Sequence, residues 1–148
     1  MAVNKIKDFT LDEILKSVST KRTKEEKIQV LRENNSLGLR DVLKGAFDDS
    51  IIFIIPPGSP PYTPWEKQNP PARLRKASRQ FRYFVSGGPG SNMQKSKVEI
   101  MFIRLLESLV KEEAEVVIAM KDKMLQERYN KSLTKKLVSE AFPGLISK

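Results

Sequence analysis

The chain has 148 residues, of which 39% are hydrophobic and 30% charged, and it carries a net charge of +9 with neither cysteine nor histidine. This length and composition predict one folded domain with an ordinary buried core. The missing residue types exclude disulfides, thiolate and imidazole metal ligands, and nucleophile pairs that need Cys or His. We therefore expect no enzyme, no metal site and no cofactor.

Targeting signals are not recognisable in the chain. The first eight residues are polar and of mixed charge, and they lack the apolar core of a signal peptide. The longest apolar run outside the predicted helices is Ile51–Ile55, which is far too short to cross a membrane. A cytoplasmic protein without membrane contact is the expectation.

Residues 1–48 are predicted to form short helices. Two helix starts have the S/T-x-x-E capping box, in which a hydroxyl and a carboxylate satisfy free backbone N–H groups. These are Thr10 with Glu13, and Thr23 with Glu26. They predict helices over about 11–18 and about 24–33, and the spacing of apolar residues predicts a third from Ser36 to Phe47.

Residues 49–71 are predicted to be extended. The β-branched run Ile51–Ile55 indicates a buried strand or extended segment, and seven of the nine prolines follow within Pro56–Pro71. We consider two interpretations of this Pro-rich loop: it wraps the core with two aromatic side chains packed inward, or it docks into an aromatic groove of another protein. The docking residues would be Pro57, Pro60, Pro61, Tyr62, Pro64 and Trp65.

Residues 72–148 are predicted to be helical again. A basic helix spans Ala72 to Val85, and a third capping box, Ser96 with Glu99, predicts the start of an apolar core helix. That helix restarts near Lys111, continues to about residue 126, and is followed by a last helix over about 132–142. The fold class is therefore mainly α: a single-domain array or bundle of about six helices, with one short extended segment and the long Pro-rich loop.

The net charge is concentrated in one stretch. Residues 67–98 contain eight lysines or arginines and no acidic residue. In an α-helix Arg75, Arg79 and Arg82 would share one face, and a local excess of cations attracts phosphate. Aromatic side chains such as Tyr83 or Trp65 could stack on bases. The candidate nucleic-acid-binding residues are Arg73, Arg75, Lys76, Arg79, Arg82, Tyr83, Lys95 and Lys97.

A structural interpretation of the same charges stays open, in which they pair with acidic residues such as those of 112–115. The carboxylates of Glu112, Glu113 and Glu115 are predicted to diverge around their helix and to form a solvated face rather than a metal site. The glycines of 87–90 lack the lysine and hydroxyl of a phosphate-binding loop, so they are predicted to be a connector.

Several phrases of the sequence occur together in one known family. They are Leu39-Arg40-x-x-Leu43, Pro56-Pro57-Gly58-x-Pro60-Pro61-Tyr62, Phe102-Ile103-x-Leu105-Leu106-Glu107 and Glu140-Ala141-Phe142-Pro143. In these the chain resembles a family of small proteins of T4-like tailed phages, especially those infecting marine cyanobacteria. The resemblance implies a viral product in the cytoplasm of the infected bacterial host, or one that enters the virion. It implies no activity, catalytic residue or cofactor.

Together these observations predict a non-enzymatic phage accessory protein that binds DNA or RNA largely without sequence specificity through its basic helix. The alternative is an adaptor, a modulator of a host factor or a virion component that docks on a phage or host protein through the Pro-rich loop. The sequence leaves the oligomeric state open.

Overall fold

Helices make up most of residues 9–147, which are the residues that the structure, a computed structural model, describes. The eight α-helices of this range are α1 Leu11–Thr20, α2 Lys24–Glu33, α3 Leu37–Phe47, α4 Leu74–Ala77, α5 Lys95–Glu107, α6 Lys111–Lys121, α7 Leu125–Arg128 and α8 Lys135–Ala141. Two 3-10 helices, Ser78–Phe84 and Pro89–Asn92, lie between α4 and α5. Residues 1–8, where we predict no signal peptide, lie outside the described residues, as does residue 148.

The predicted mainly α, single-domain array is confirmed. Because α4 and α7 are single turns of four residues, the longer helices number six, as expected. Helix α1 packs against α2, α2 against α8, and α3 against both α4 and α6. No helix within residues 9–147 has the length and apolar character needed to cross a membrane.

The first two predicted capping boxes are confirmed. At α1 the Glu13 N–H donates to Thr10 Oγ1 at 3.1 Å and the Thr10 N–H donates to Glu13 Oε1 at 2.9 Å, and α2 has the same reciprocal pair. The third box is wrong. Helix α5 already begins at Lys95, since the Gln94 carbonyl accepts from Val98 N–H at 3.1 Å, so Ser96 lies inside the first turn.

Helix α5 lies in the core, as its apolar stripe predicts. Its buried side chains are Val98, Phe102, Leu105 and Leu106. The Phe102 ring meets the buried Phe84 ring edge-on, with 5.2 Å between centroids and 79° between planes. The helix ends at Glu107, and α6 starts after the extended residue Val110, which confirms the predicted restart near Lys111.

The extended segment pairs with the end of residues 72–85, which we call the basic segment. Phe53 and Val85 form an isolated antiparallel bridge, in which Ile54 N–H donates to Phe84 O at 2.8 Å. Ile55 is buried, but Ile52 is 60% exposed. The prediction of a buried strand is therefore only partly right, because alternate side chains of an extended chain point to opposite sides.

The Pro-rich loop is held along its length by hydrogen bonds to α5 and α6. Lys121, whose side chain is buried, donates from Nζ to Pro56 O at 2.9 Å and to Gly58 O at 3.0 Å. Further along, Thr63 N–H donates to Glu107 Oε2 at 3.1 Å. The prolines remove donors and restrict the backbone, so the body of the protein supplies the contacts that fix the loop.

Helix α6 ends earlier than predicted, at Lys121 rather than near residue 126. Two residues later, Lys123 has a left-handed backbone with φ of 60°. Nζ of Lys123 donates to three carbonyls at and beyond the end of α3: Gly45 O at 2.5 Å, Ile51 O at 2.9 Å and Asp48 O at 3.2 Å. The last helix is also shorter than predicted, since Thr134 caps it and it begins at Lys135.

Candidate nucleic-acid interface

The basic segment starts against a buried carboxylate. Glu113, which is 2% exposed, accepts from Leu74 N–H at 3.0 Å through Oε1 and from Leu11 N–H at 3.2 Å through Oε2. Leu74 and Leu11 are the first residues of α4 and α1. One carboxylate therefore satisfies free N–H groups at two helix starts, where a negative charge is favoured.

The prediction that Glu113 belongs to a solvated face is wrong. Burial raises the pKa of this carboxyl, while the two N–H donors and the nearby Arg73 and Arg75 oppose that rise. Glu112 is exposed as predicted, and Glu115 pairs with Arg128 at 3.0 Å.

The basic segment is α-helical for only one turn. After Ala77 it continues as a 3-10 helix to Phe84, where the large aromatic residues have low α-helix propensity. In a 3-10 helix residues three apart eclipse each other, so Arg79 and Arg82 align. The predicted row of Arg75, Arg79 and Arg82 on one α-helical face is therefore not formed.

Two glycines hold the 3-10 helix in place. A Cβ on Gly88 would lie 2.2 Å from Arg82 O, and one on Gly90 would lie 1.8 Å from Tyr83 O. Only glycine lets these backbones come so close. The predicted connector thus also packs directly on the residues that present Arg82.

A groove of about 790 Å³ lies on one side of the segment. Its basic residues are Arg73, Arg75 and Lys76, and Glu113 and Val110 also line it. Arg75 is half-buried and donates from Nη2 to Phe9 O at 2.7 Å. We refer to this depression as the large groove.

A smaller hollow of about 230 Å³ lies beside the 3-10 helix. Its lining is mainly apolar, and Arg79, Arg82, Lys44 and Asp41 contribute the charged groups. Asp41 Oδ2 accepts from the buried Ser78 hydroxyl at 2.9 Å, and burial raises the pKa of the Asp41 carboxyl against that hydrogen bond. We call this depression the small hollow.

Three bases of the segment face solvent. Lys76, Arg79 and Arg82 are exposed, and none forms an ion pair with a carboxylate of residues 9–147. Within the described part of the chain, Arg79 Nε donates only to Lys76 O, at 3.4 Å. Bases on other surfaces do pair, as Lys24 does with Glu140 at 3.0 Å. Unpaired exposed cations can neutralise phosphate without first losing a protein partner.

Tyr83, Lys95 and Lys97 have other surroundings. Tyr83 is half-buried against the core, and the guanidinium of Arg82 lies 5.2 Å from its ring centroid. That cation covers one face of the ring on which a base was expected to stack. Lys95 lines a separate depression of about 440 Å³ with Gly90 and Ser91, and Lys97 is exposed in the first turn of α5.

The residues of the Pro-rich loop that were proposed to dock on another protein differ in exposure. Pro57 and Pro61 are exposed, whereas the others are partly buried: Pro60, Tyr62, Pro64 and Trp65. Trp65 forms an isolated parallel bridge with Val110, and the backbone N–H of Trp65 donates to Leu109 O at 3.3 Å. Tyr62 packs against the core, as the wrapping interpretation predicts.

Sequence reasoning missed Glu113, Asp41 and Lys121 as residues that shape these surfaces. A signal for Glu113 and Lys121 was present, because both fall on the apolar stripe of α6 that includes Val117. A charged residue in such a stripe is buried with its partners. Asp41 gave no such signal, since its position beside Arg79 depends on how α3 packs against the 3-10 helix.

No curated protein and no solved structure matches the chain. One family model does match, and its span of residues 14–127 includes the Pro-rich loop, the whole basic segment, Asp41 and Glu113. The span is well over half of the 148 residues. The chain therefore belongs to the family described as Family of unknown function (DUF6433).

Proposed function

We propose that this chain is a non-enzymatic phage accessory protein that binds nucleic acid, largely without sequence specificity, through the lysines and arginines of the basic segment. The observation that carries the proposal is the exposure of Lys76, Arg79 and Arg82 without a carboxylate partner among residues 9–147. Phosphate contacts of this kind supply affinity and orientation but do not distinguish bases.

The other predicted lysines and arginines add to the positive electrostatic potential around the basic segment. Arg73 and Arg75 line the large groove, and Lys95 and Lys97 lie beyond the glycine connector. The protein would act in the cytoplasm of the infected bacterium, where the nucleic acid of phage and host is present, or it would be packaged with the genome. The contacts that hold the Pro-rich loop favour this function over docking through that loop.

The test is the salt dependence of binding to a labelled duplex of mixed sequence. Lys76, Arg79 and Arg82 are changed together to Gln, which removes three positive charges and keeps helix propensity similar. We expect the plot of log affinity against log salt to become shallower by about two to three units, since each phosphate contact adds roughly 0.9.

A matched control separates local contacts from total charge. Lys21, Arg22 and Lys136 are also exposed and lie around α1 and α8, so their change to Gln removes the same charge from another surface. Equal effects of the two triple variants would reject a local interface. If the unchanged protein does not bind at about 50 mM salt, nucleic-acid binding itself is rejected.

A further inference from the structure

The small hollow has an apolar lining that would suit a flat ring. Ile51, Phe53, Phe81 and Val85 contribute to it, and its volume of about 230 Å³ is below that of sites for drug-sized ligands, which begin at roughly 300 Å³. It therefore has room for a single side chain or a single nucleobase, and an extended ligand would have to continue along its rim.

The rim is suited to anions on one side. Arg79 and Arg82 are exposed and have no carboxylate partner among residues 9–147. Lys44 is committed elsewhere, because its Nζ donates to Asp48 Oδ2 at 2.8 Å and to Leu145 O at 2.9 Å. An anion next to the hollow would thus meet two guanidinium groups.

Asp41, in the wall of the hollow, favours a hydrogen-bond donor over an anion. Asp41 Oδ2 accepts from Ser78, but no donor within the described part of the chain reaches Oδ1. An ionised carboxylate repels phosphate from the interior of the hollow and favours a ligand that brings an N–H donor. The group that enters is therefore uncharged, partly apolar and a hydrogen-bond donor, while its anionic neighbours stay on the rim.

We infer that the small hollow takes one unstacked base of a single-stranded nucleic acid, with flanking phosphates on Arg79 and Arg82 and an amino group of the base donating to Asp41. This inference rests on the proposed function and adds a strand preference to it. A duplex keeps its bases stacked and paired, so its bases cannot enter. Adenine, cytosine and guanine have an exocyclic amino group, whereas thymine and uracil offer only the ring N3–H between two carbonyl oxygens, which an ionised carboxylate repels.

An acidic peptide with an apolar side chain is the competing ligand. It would match the lining and the rim, but an apolar side chain would cover the partly buried Asp41 Oδ1 and remove it from water without offering a donor, which is costly. A base with an amino group satisfies all three features of the hollow, and this is why we favour it.

The experiment measures fluorescence anisotropy of labelled oligonucleotides of about 20 nucleotides, a length that exceeds typical single-strand sites. The probes are a mixed-sequence single strand, its duplex, oligo(dA), oligo(dC) and oligo(dT), all at one salt concentration. We expect the single strand to bind about tenfold more tightly than the duplex. We expect oligo(dA) and oligo(dC) to bind about fivefold more tightly than oligo(dT).

Two variants assign these preferences to the hollow. Asp41→Ala removes both carboxylate oxygens and should abolish the preference for amino-bearing bases, whereas the control Glu99→Ala, beside Lys95, should retain it. Val85→Phe should fill part of the hollow and lower single-strand affinity with little effect on duplex affinity, and aromatic residues suit its extended backbone. Urea midpoints confirm that each variant folds.

The outcomes separate the two proposals. Equal affinity for single strand and duplex, or a base preference that survives Asp41→Ala, would overturn the inference and leave the proposed function intact. Failure to bind any probe would overturn both. Displacement of the single strand by an acidic peptide that contains Phe, but not by the same peptide with Ala, would assign the hollow to a protein partner and also overturn the inference.

Discussion

The carboxylate of Glu113 lies 3.0 Å from the backbone nitrogen of Leu74 and fixes the point at which the basic segment begins. The same group accepts from Leu11 N–H, so it joins α1 and α4 to the first turn of α6. The position of Lys76 and its neighbours therefore depends on a negative charge that solvent scarcely reaches.

Replacing Glu113 by Gln should destabilise the protein. An amide offers one acceptor oxygen, and its NH₂ would face one of the two N–H donors, so we expect a loss of about 1–3 kcal/mol in the free energy of unfolding by urea. Glu112→Gln is the control, since Glu112 is the exposed neighbour and its change should cost little. Equal losses would mean that the hydrogen bonds of Glu113 contribute nothing specific.

Replacing Leu105 by Ala should create a cavity in the core. Leu105 is 3% exposed on α5, and losses for such substitutions are about 2–5 kcal/mol. Ile100→Ala on the same helix is the control, because Ile100 is 50% exposed and should cost much less. A loss below about 0.5 kcal/mol for Leu105→Ala would contradict a central position for α5.

Lys123→Met should weaken the junction between α3 and the extended segment. The side chain keeps its length but leaves Gly45 O, Asp48 O and Ile51 O without their charged donor, for an expected loss of about 1–3 kcal/mol. Lys131→Met is a close control, since Lys131 is exposed and also has a positive φ, 63° against 60°. The difference between their thermal midpoints isolates the hydrogen bonds from the backbone conformation.

Stability should fall in acid through Asp48. Its carboxyl is fully buried, and although burial opposes ionisation, hydrogen bonds from Lys44, Ser50 and Ser147 outweigh it and hold the pKa well below the ordinary 3.8. A lowered pKa contributes stability that is present above about pH 4 and is lost as the pH falls towards the folded-state value. In Asp48→Asn, unfolding free energy should depend less on pH between about 4 and 2.

Gly38→Ala should disturb the basic segment as well as the core. A Cβ at Gly38 would lie 2.3 Å from Arg75 O, so α3 and α4 would have to separate. We expect both a lower unfolding free energy and weaker binding of nucleic acid at low salt. Leu37→Ala, at the 62% exposed first residue of α3, should change neither measurement. Full binding by a stably folded Gly38→Ala protein would show that the segment does not depend on this contact.

Helix starts and the core could be predicted from local pattern. In the capping boxes at Thr10 and Thr23, both hydrogen-bonding residues lie within three positions of each other. The apolar stripe of α5 can likewise be recognised without knowing which elements cover it. Ser96 shows the limit of such motifs. Helix α5 starts at Lys95, two residues earlier than a box at Ser96 would give, and Gln94 rather than Ser96 is the N-cap residue.

The candidate site could be predicted only as a concentration of charge. A change from α to 3-10 geometry after Ala77 re-aligns the arginines, and Gly88 and Gly90 pack on this 3-10 helix from a later part of the chain. The placement of Asp41 beside Arg79 likewise depends on contacts between segments far apart in sequence. Periodicity within one segment has no access to either relationship.

Helix α6 has a consequence for the order of folding. Glu113 in its first turn accepts hydrogen bonds from the first residues of α1 and α4. Lys121 at its end donates to the Pro-rich loop, and Lys123 just beyond it donates to a carbonyl near the end of α3. During synthesis these partners leave the ribosome well before residues 111–123 do. Until then, the first hundred residues lack these hydrogen-bond partners. We therefore expect cooperative folding to begin only once α6 has emerged. Nascent chains that end before α6 should be sensitive to protease.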